Sequence, residues 1–345
     1  MSKDSIDKVV KEGVGVLDFE PPVTAWASTG CTLLDLAISN QLPGGFPAGR
    51  ITHLFGAESS AKSVLAAEAI GSVQRQGGIG YFADAEQTFD SGRASLVYGV
   101  DVEDDSFRYS TPTILEELFD VSIRNAQKEC IENDIPLSMM VVDSLAALPS
   151  GKEIEETKGE RLKLADMKGY GASRAKTLST AFRTNQSSFC ESNLGMVFVD
   201  QTRANLSSPW GGTTTSSGQA IKFYSSVRID LVCVKQLVNK HKKNIGIIVR
   251  AKVVKNKTAP PKREIKFMLT YDYGIDDIGS NLMFLKAELD KSSKSHTFAG
   301  HKGSLEVVSK AVEENELEED LRMAVWEVWK EVYKVPERLP KKRVR

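Results

Sequence analysis

Cysteine and histidine are both scarce, four of each in 345 residues. Cys31, Cys130, Cys190 and Cys233 are scattered, with no CxxC spacing. That excludes a zinc ribbon and a thioredoxin-like redox motif, and the four read as reduced, mostly buried small residues of a cytosolic protein. His53, His241, His296 and His301 show no metal-ligand spacing and are expected at the surface or in loops. No apolar run approaches the length needed to span a membrane, and MSKDSIDKVVKEG lacks the apolar stretch of a signal peptide. A cytoplasmic chain is therefore expected. An excess of one charge is also missing: the formal net charge is −1. Any nucleic-acid binding must come from local basic patches or loops. What remains is an ordinary globular composition, 41% hydrophobic and 26% charged, with enough apolar residues for a sizeable core. No internal repeat is visible.

The stretch around which the chain is organised is ITHLFGAESSAKS, from Ile51 to Ser63. An apolar run stops at Gly56, a loop of small residues follows, and VLAAEAIGSVQ then reads as a helix. Strand, loop and helix in that order are the context of a phosphate-binding P-loop. Small residues let backbone N–H groups approach phosphate oxygens, and the helix N-terminus adds partial positive charge. Gly56, Ala57, Glu58, Ser59, Ser60, Ala61, Lys62 and Ser63 form the candidate nucleotide loop. Lys62 would reach the β- and γ-phosphates, and the Ser63 hydroxyl would hold Mg²⁺. The pattern calls for glycine directly before the lysine, and this chain has Ala61. Alanine fits if the backbone there is ordinary helix and no ligand atom needs the room of its Cβ.

Upstream, residues 1–24 are polar and end at Glu20-Pro21-Pro22, either a loose arm or a helix docked on a neighbour. STGCTLLDLAI then reads as a helix with Ser28 or Thr29 as N-cap. Downstream, the strand Ile79–Ala83 runs into Asp84-Ala85-Glu86. Acidic residues at such a strand end lie where α/β sheets bind ligands, so Glu86 is either a general base for an attacking water or a solvated carboxylate. After an amphipathic helix over 113–132, the apolar strand Ser138–Val142 closes in Asp143. That is the Walker B pattern, with Asp143 holding Mg²⁺ through water, or an N-cap for the next helix. Residues 150–170 are highly charged and read as a long loop or a frayed helix start. The strand Gly195–Asp200 leads to Gln201 and to a loop rich in Gly, Ser and Thr, in which Trp210 either contacts a base or sugar or folds under the loop. Three strand-like runs then alternate as hairpins, and Leu317–Tyr333 is a strong amphipathic helix. The end, RLPKKRVR, is basic. It reads as an electrostatic contact for nucleic acid, or a solvated end.

Over roughly residues 25–275 these segments resemble the RecA recombinase family. STGCTLLDLAI, LPGGFPAGRI, GAESSAKS, DAEQTFD, VVDSLAAL, TTTSSGQAIKFYSSVRIDL and KVVKNKTAPP carry the likeness. The last two are the most specific, because a generic P-loop ATPase lacks them. SRAKTLSTAFR looks more like the phage, UvsX-like branch than the bacterial one. The resemblance implies an α/β fold: a RecA-like P-loop ATPase core with a central, mostly parallel sheet flanked by helices, plus a small C-terminal α-rich domain. It implies an N-terminal arm over 1–24, the core over 25–275, a C-terminal domain over 276–336 and a basic tail over 337–345. ATP and Mg²⁺ are the implied cofactors, with ATP held between neighbouring protomers of a helical filament.

By the same resemblance Lys62 and Ser63 fall on the P-loop lysine and hydroxyl, Glu86 on the catalytic glutamate and Asp143 on Walker B. Gln201 falls on the glutamine that couples the γ-phosphate to the second DNA-binding loop. Lys255 and Lys257 fall on two lysines that reach into the neighbour's ATP site, where cations supplied by another protomer stabilise charge on the transferring phosphoryl group. Lys222, Phe223 and Arg228 fall on the protomer interface, and Asp90 and Tyr271 on adenine contacts. The first DNA loop, within about 156–171, contributes Arg161, Lys163 and Lys168. The second, about 202–218, contributes Arg203, Asn205, Trp210, Gly211, Gly212 and Thr213. Single-stranded DNA, a homologous duplex and further copies of the chain are the implied partners, with single-strand-binding and loader proteins beside them and no membrane.

The chain also departs from the family pattern. Ala61 replaces the last glycine of the P-loop. SGRASLVYGVD carries one extra residue and has no counterpart for an adenine-stacking tyrosine, a place Arg93 could fill. The first DNA loop does not align residue by residue, and the family's acidic tail, which restrains duplex binding, is basic here. The expected function is an ATP-dependent DNA strand-exchange recombinase. The alternative is a weakened relative, an accessory or mediator that binds nucleotide and DNA without efficient turnover, motivated by Ala61. A ring helicase is a third reading, opposed by the KVVKNK and IKFYSSVR segments.

Overall fold

The computed structural model describes residues 22–157, 170–204, 213–215 and 217–334. Most of the expected arm, much of both expected DNA loops and the basic tail lie outside them. In chain order the elements are β1 (Trp26–Ala27), α1 (Thr32–Ser39), β2 (Phe46–Pro47), β3 (Ile51–Gly56), α2 (Lys62–Arg75), β4 (Ile79–Asp84), α3 (Ser91–Tyr98) and β5 (Phe107–Ser110). Next comes α4, which runs from Leu115–Glu117 through a π-helical segment Leu118–Ile123 into Arg124–Glu132. Then follow β6 (Ser138–Asp143), α5 (Gly151–Thr157), α6 (Tyr170–Glu191), β7 (Leu194–Ala204), β8 (Thr213–Thr215), α7 (Gly218–Tyr224), β9 (Val227–Val238), β10 (Asn244–Asn256), β11 (Glu264–Thr270) and β12 (Gly274–Asp276). The C-terminal region adds α8 (Asp277–Leu289), the hairpin β13 (His296–Phe298) and β14 (His301–Gly303), α9 (Leu305–Glu314) and α10 (Glu318–Val332).

The main sheet has the order β12-β11-β10-β9-β3-β7-β6-β4-β5, with β8 paired to β7. From β9 to β5 every neighbour is parallel. From β9 to β12 the pairs are antiparallel. The inner parallel strands β3, β4, β6 and β7 are buried on both faces, which explains their unbroken apolar runs, whereas the edge strand β5 is partly exposed. In β6, Met139 and Val141 enter one apolar cluster, and Met140 and Val142 the other. The first cluster lies under α1 and α2, and the second under α4, α6 and α7.

The C-terminal helices join the first cluster. Trp329 of α10 is fully buried, packs on Phe284 and Tyr333, and lies near the guanidinium of Arg263. Its indole N–H donates to Asn40 Oδ1 at 3.4 Å.

Several local expectations change. Ser28 and Thr29 do not cap α1; both hydroxyls donate to Asp35 within the helix. The position before α1 is Cys31, and the first helical N–H, that of Thr32, donates to Asp277 of α8. A carboxylate 245 residues away does the work assigned to a neighbour. Two histidines expected at the surface are buried, His53 in the central strand β3 and His296 in β13. Of the cysteines, Cys31 and Cys130 are buried, Cys190 is half-buried and Cys233 is exposed. Among the described residues no helix is long and apolar enough to cross a membrane.

Candidate active site

The strand β3 ends at Gly56, where the crowding of neighbouring backbone leaves no room for a side chain. A Cβ on Gly56 would lie 2.2 Å from the Leu231 carbonyl oxygen and 2.7 Å from Ser60 Oγ. The loop that follows is closed by Ser60 Oγ donating to the Ala57 carbonyl at 2.7 Å. Ser59 and Ala61 both have positive φ, 55° and 73°. Ala61, the residue before α2, is left-handed (ψ 13°), so the condition of ordinary helical backbone is not met. The glycine expected there would carry this conformation freely, whereas alanine carries it at a cost of about 1 kcal/mol.

Lys62 opens α2, and its side chain is folded back into the loop. Its ammonium donates to the carbonyls of Ala57 (2.6 Å) and Gly56 (3.3 Å). Burial lowers its pKa, while Asp143 and Glu86 pull it back up. Ser63 Oγ donates to Asp143 Oδ2 at 2.7 Å, joining the start of α2 to the end of β6. Burial raises the Asp143 pKa, the Ser63 hydrogen bond opposes this, and the carboxylates of Glu86 and Asp84 add to it. Such a concentration of negative charge beside a hydroxyl favours a hard cation.

The register of the parallel strands brings the remaining groups to the same end. Asp84 lies opposite Asp143, and Gly56 lies opposite Gln201. The Asp143 carbonyl accepts from the N–H groups of Ala85 and Glu86, so the Glu86 segment is fastened to β6. Ser144 Oγ donates to Glu86 Oε1 at 2.5 Å and holds its carboxylate beside the P-loop. Asp84 is buried and pins the other side of the same segment. It accepts from the N–H groups of Thr88 and Phe89 and from the Tyr109 hydroxyl. Neither Ser144 nor Asp84 was singled out in the sequence. Their only signal was adjacency to Asp143 and Glu86, because their partners are other strands.

Asp90 caps α3 by accepting from the Arg93 N–H at 2.9 Å. The Arg93 guanidinium donates to the Tyr98 hydroxyl and to the Tyr271 carbonyl. This brings the Asp90 and Tyr271 segments together and holds the Arg93 guanidinium by its edge.

A second group of expected residues gathers elsewhere, around α7 and the β9–β10 pair. Lys255 pairs in register with Arg228, and Arg228 with His53. The Lys255 ammonium donates to the carbonyls of Lys222 (2.9 Å) and Phe223 (2.7 Å). Phe223 is 73% exposed. The Lys257 N–H donates to Ser226, and the Ser226 N–H donates to Ile51, at the opposite end of β3 from Gly56.

The DNA-loop candidates are mostly undescribed. Arg161, Lys163, Lys168, Asn205, Trp210, Gly211 and Gly212 lie outside the described residues. Arg203 and Thr213 are placed by their backbones alone. Ala204 pairs with Thr213 and Arg203 with Thr214, so β7 and β8 close the base of the second loop as an antiparallel pair.

Residues 5–276 match the family model described as the RecA N-terminal domain. The chain is 35% identical over 268 residues to Protein RecA of Roseiflexus castenholzii, covering 77% of this chain and 70% of that one. It is 35% identical over 269 residues to Protein RecA of Clostridioides difficile, covering 78% and 71%. Against Protein RecA of Syntrophobacter fumaroxidans it is 34% identical over 296 residues, covering 86% and 79%.

Proposed function

This chain belongs to the RecA family, and on that premise we propose how its residues divide the work of a RecA-type recombinase. It is such a recombinase and a DNA-dependent ATPase. ATP binds at the Gly56–Ser63 loop with its adenine between the Asp90 and Tyr271 segments. Lys62 leaves the Ala57 and Gly56 carbonyls for the β- and γ-phosphates. Ser63 and Asp143 suit Mg²⁺, which takes few protein oxygens beside substrate phosphates and, when bound, neutralises their charge. Glu86, held by Ser144, accepts a proton from the attacking water. Gln201 contacts the γ-phosphate and passes its state to the second DNA loop. Lys255 and Lys257 complete the ATP site of the next protomer in a helical filament.

One observation carries this division. Lys62, the Ser63–Asp143 pair, the Ser144–Glu86 pair and Gln201 converge on one end of the parallel strands. Lys257 is tied through Ser226 to Ile51, five strand residues before Gly56, which is about 16 Å at about 3.3 Å per residue. Lys255 stands level with His53, and its ammonium is held on the carbonyls of α7 and not on the P-loop; both lysines are therefore assigned to another copy.

On this reading the loops around 156–171 and 202–218 hold single-stranded DNA through backbone N–H groups, hydroxyls and cations such as Arg203. A homologous duplex is then recognised by base pairing, with the protein reading the backbone. A place in the phage, UvsX-like branch rests on SRAKTLSTAFR. Work in the cytoplasm beside single-strand-binding and loader proteins belongs to the same reading. Ala61 points to slower turnover, but Glu86, Asp143, Gln201 and both lysines have little use in a non-hydrolysing accessory.

ATP hydrolysis measured with and without single-stranded DNA tests the reading. Strong stimulation that vanishes in Lys62→Ala is expected. Retained DNA binding with no hydrolysis in the unaltered protein would replace it with the accessory reading.

A further inference from the structure

We infer that His53 is a positioning residue that couples the two ATP sites touched by one protomer, its own through Gln201 and its neighbour's through Lys255. The inference rests on the roles given above to those two residues.

His53 is fully buried in β3, between β7 and β9. A histidine at the centre of a parallel sheet occupies a position where an aliphatic side chain would pack at less cost. Its two ring nitrogens face different elements. Arg228 Nε donates to His53 Nδ1 at 3.2 Å. Nε2 faces Asp200 Oδ2 at 3.4 Å. A guanidinium can only donate, so Nδ1 is unprotonated and the ring proton sits on Nε2, directed at the carboxylate. A neutral imidazole therefore bridges a cation and an anion with one defined tautomer.

Each end of this bridge leads to an ATP site. Asp200 directly precedes Gln201, and its Oδ2 also accepts the Ser217 N–H at 3.2 Å. It thus ties both ends of the second loop, by its own backbone at the start and its carboxylate at the close. Arg228 stands opposite Lys255 in the β9–β10 register, and its guanidinium lies over the Phe55 ring. The Lys255 ammonium is held by α7, the helix that follows Ser217. The chain runs from Lys255, set against the like charge of Arg228 across the β9–β10 register, through Arg228, His53 and Asp200 to Gln201 and Ser217. The Nε2–Asp200 spacing is longer than a good hydrogen bond, and Asp200 Oδ1 has no hydrogen-bond partner among the described residues. The junction is closed loosely enough to be remade when either end moves.

The charged groups facing His53 are Asp200 from β7, Arg228 from β9 and Lys222 from α7. Burial lowers the imidazole pKa, Arg228 and Lys222 lower it further, and Asp200 opposes them. The neutral form therefore holds at neutral pH. A proton on Nδ1 in acid would end the Arg228 contact and set two cations against each other.

The test uses the full chain with His53→Phe and His53→Gln. Hydrolysis on single-stranded DNA is measured against ATP concentration and pH, with nucleotide affinity and thermal unfolding of the DNA-free protein alongside. The unaltered protein is expected to respond cooperatively to ATP. His53→Phe is expected to lose about 10-fold of the DNA stimulation and its cooperativity, with nucleotide affinity held within about 2-fold. His53→Gln keeps a donor and an acceptor but cannot take up a proton. It is expected to retain coupling at pH 7.5 and to lack the loss of stimulation expected of the unaltered protein in acid, below the ordinary imidazole range. Unchanged stimulation and cooperativity in His53→Phe would overturn the inference. If His53→Phe does not fold, superimposable acid profiles of His53→Gln and the unaltered protein overturn it instead. An unaltered protein without DNA stimulation would overturn the ATPase assignment itself, a separate result.

Discussion

The two ends of the central strand β3 are built on opposite principles. At the Gly56 end, Lys62 and Asp143 are buried at 7% and 9% exposure, and the polar groups there are tied to one another by short hydrogen bonds. Toward the Ile51 end, Phe223 is exposed, and the Lys255 ammonium, level with His53, is held by the carbonyls of α7. A site complete in one chain can be pre-organised by its own folding. A site shared between copies must leave its contribution at the surface, held by contacts that can be exchanged. On the reading proposed above, the first end would bind and position nucleotide within one chain, and the second would make turnover depend on assembly.

The largest effect expected breaks the first end. Glu86→Gln should lower DNA-stimulated hydrolysis by about 10²–10⁴-fold while nucleotide and DNA binding stay near the unaltered values. Persistent hydrolysis in a steady-state assay would remove Glu86 from the role of base. The next sharpens the distinction between the ends. Lys255→Ala should lose about 10²-fold or more of the stimulated rate while the DNA-free protein binds nucleotide as before. Mixing Lys255→Ala with Lys62→Ala should recover activity, since each supplies the half the other lacks. A mixture no more active than its parts would place Lys255 in the same site as Lys62.

Ser144→Ala probes pre-organisation. With the Glu86 carboxylate released, kcat should fall about 10-fold with KM for ATP little changed. Equal kcat in a full kinetic series would show that Glu86 is held by other contacts. The smallest effect concerns Ala61. Ala61→Gly should raise the stability of the nucleotide-free protein by about 0.5–1 kcal/mol, read from chemical denaturation, because left-handed backbone is free to glycine. A loss of stability would mean that the entropy of glycine in the unfolded chain outweighs the strain.

The P-loop, the Walker B strand and the Glu86 segment were legible because each is local. An apolar run, a break and a charged or small residue at fixed offset specify strand, turn and ligand end together. The spans of α1, α2, α4 and α10 were legible for the same reason, α10 running from Glu318 to Val332 against an expectation of Leu317–Tyr333, whereas α3, α7, α8 and α9 were not read as helices. The Ala61 conformation was not legible. A residue's φ at a loop–helix junction depends on how the loop closes, here against Leu231 of the neighbouring strand β9. The N-cap assignment to Ser28 and Thr29 failed because hydroxyls near a helix start have more than one partner within reach, and Asp35 took both. His53 was missed because its spacing carries no motif, and its partners Asp200 and Arg228 are more than a hundred residues away.

The sequence by itself determined that this chain makes an α/β nucleotide-binding core and which local segments carry phosphate-binding and acidic groups. Those depend on offsets of a few residues, and the backbone conformations that realise them are local. Only the tertiary structure decided that Gly56 stands beside Gln201 and Asp84 beside Asp143, that Ser144 holds Glu86, and that the Lys255 ammonium is held on the carbonyls of α7. Those are matters of strand order and register, set by how two apolar clusters close on both faces of one sheet, and no local pattern encodes them.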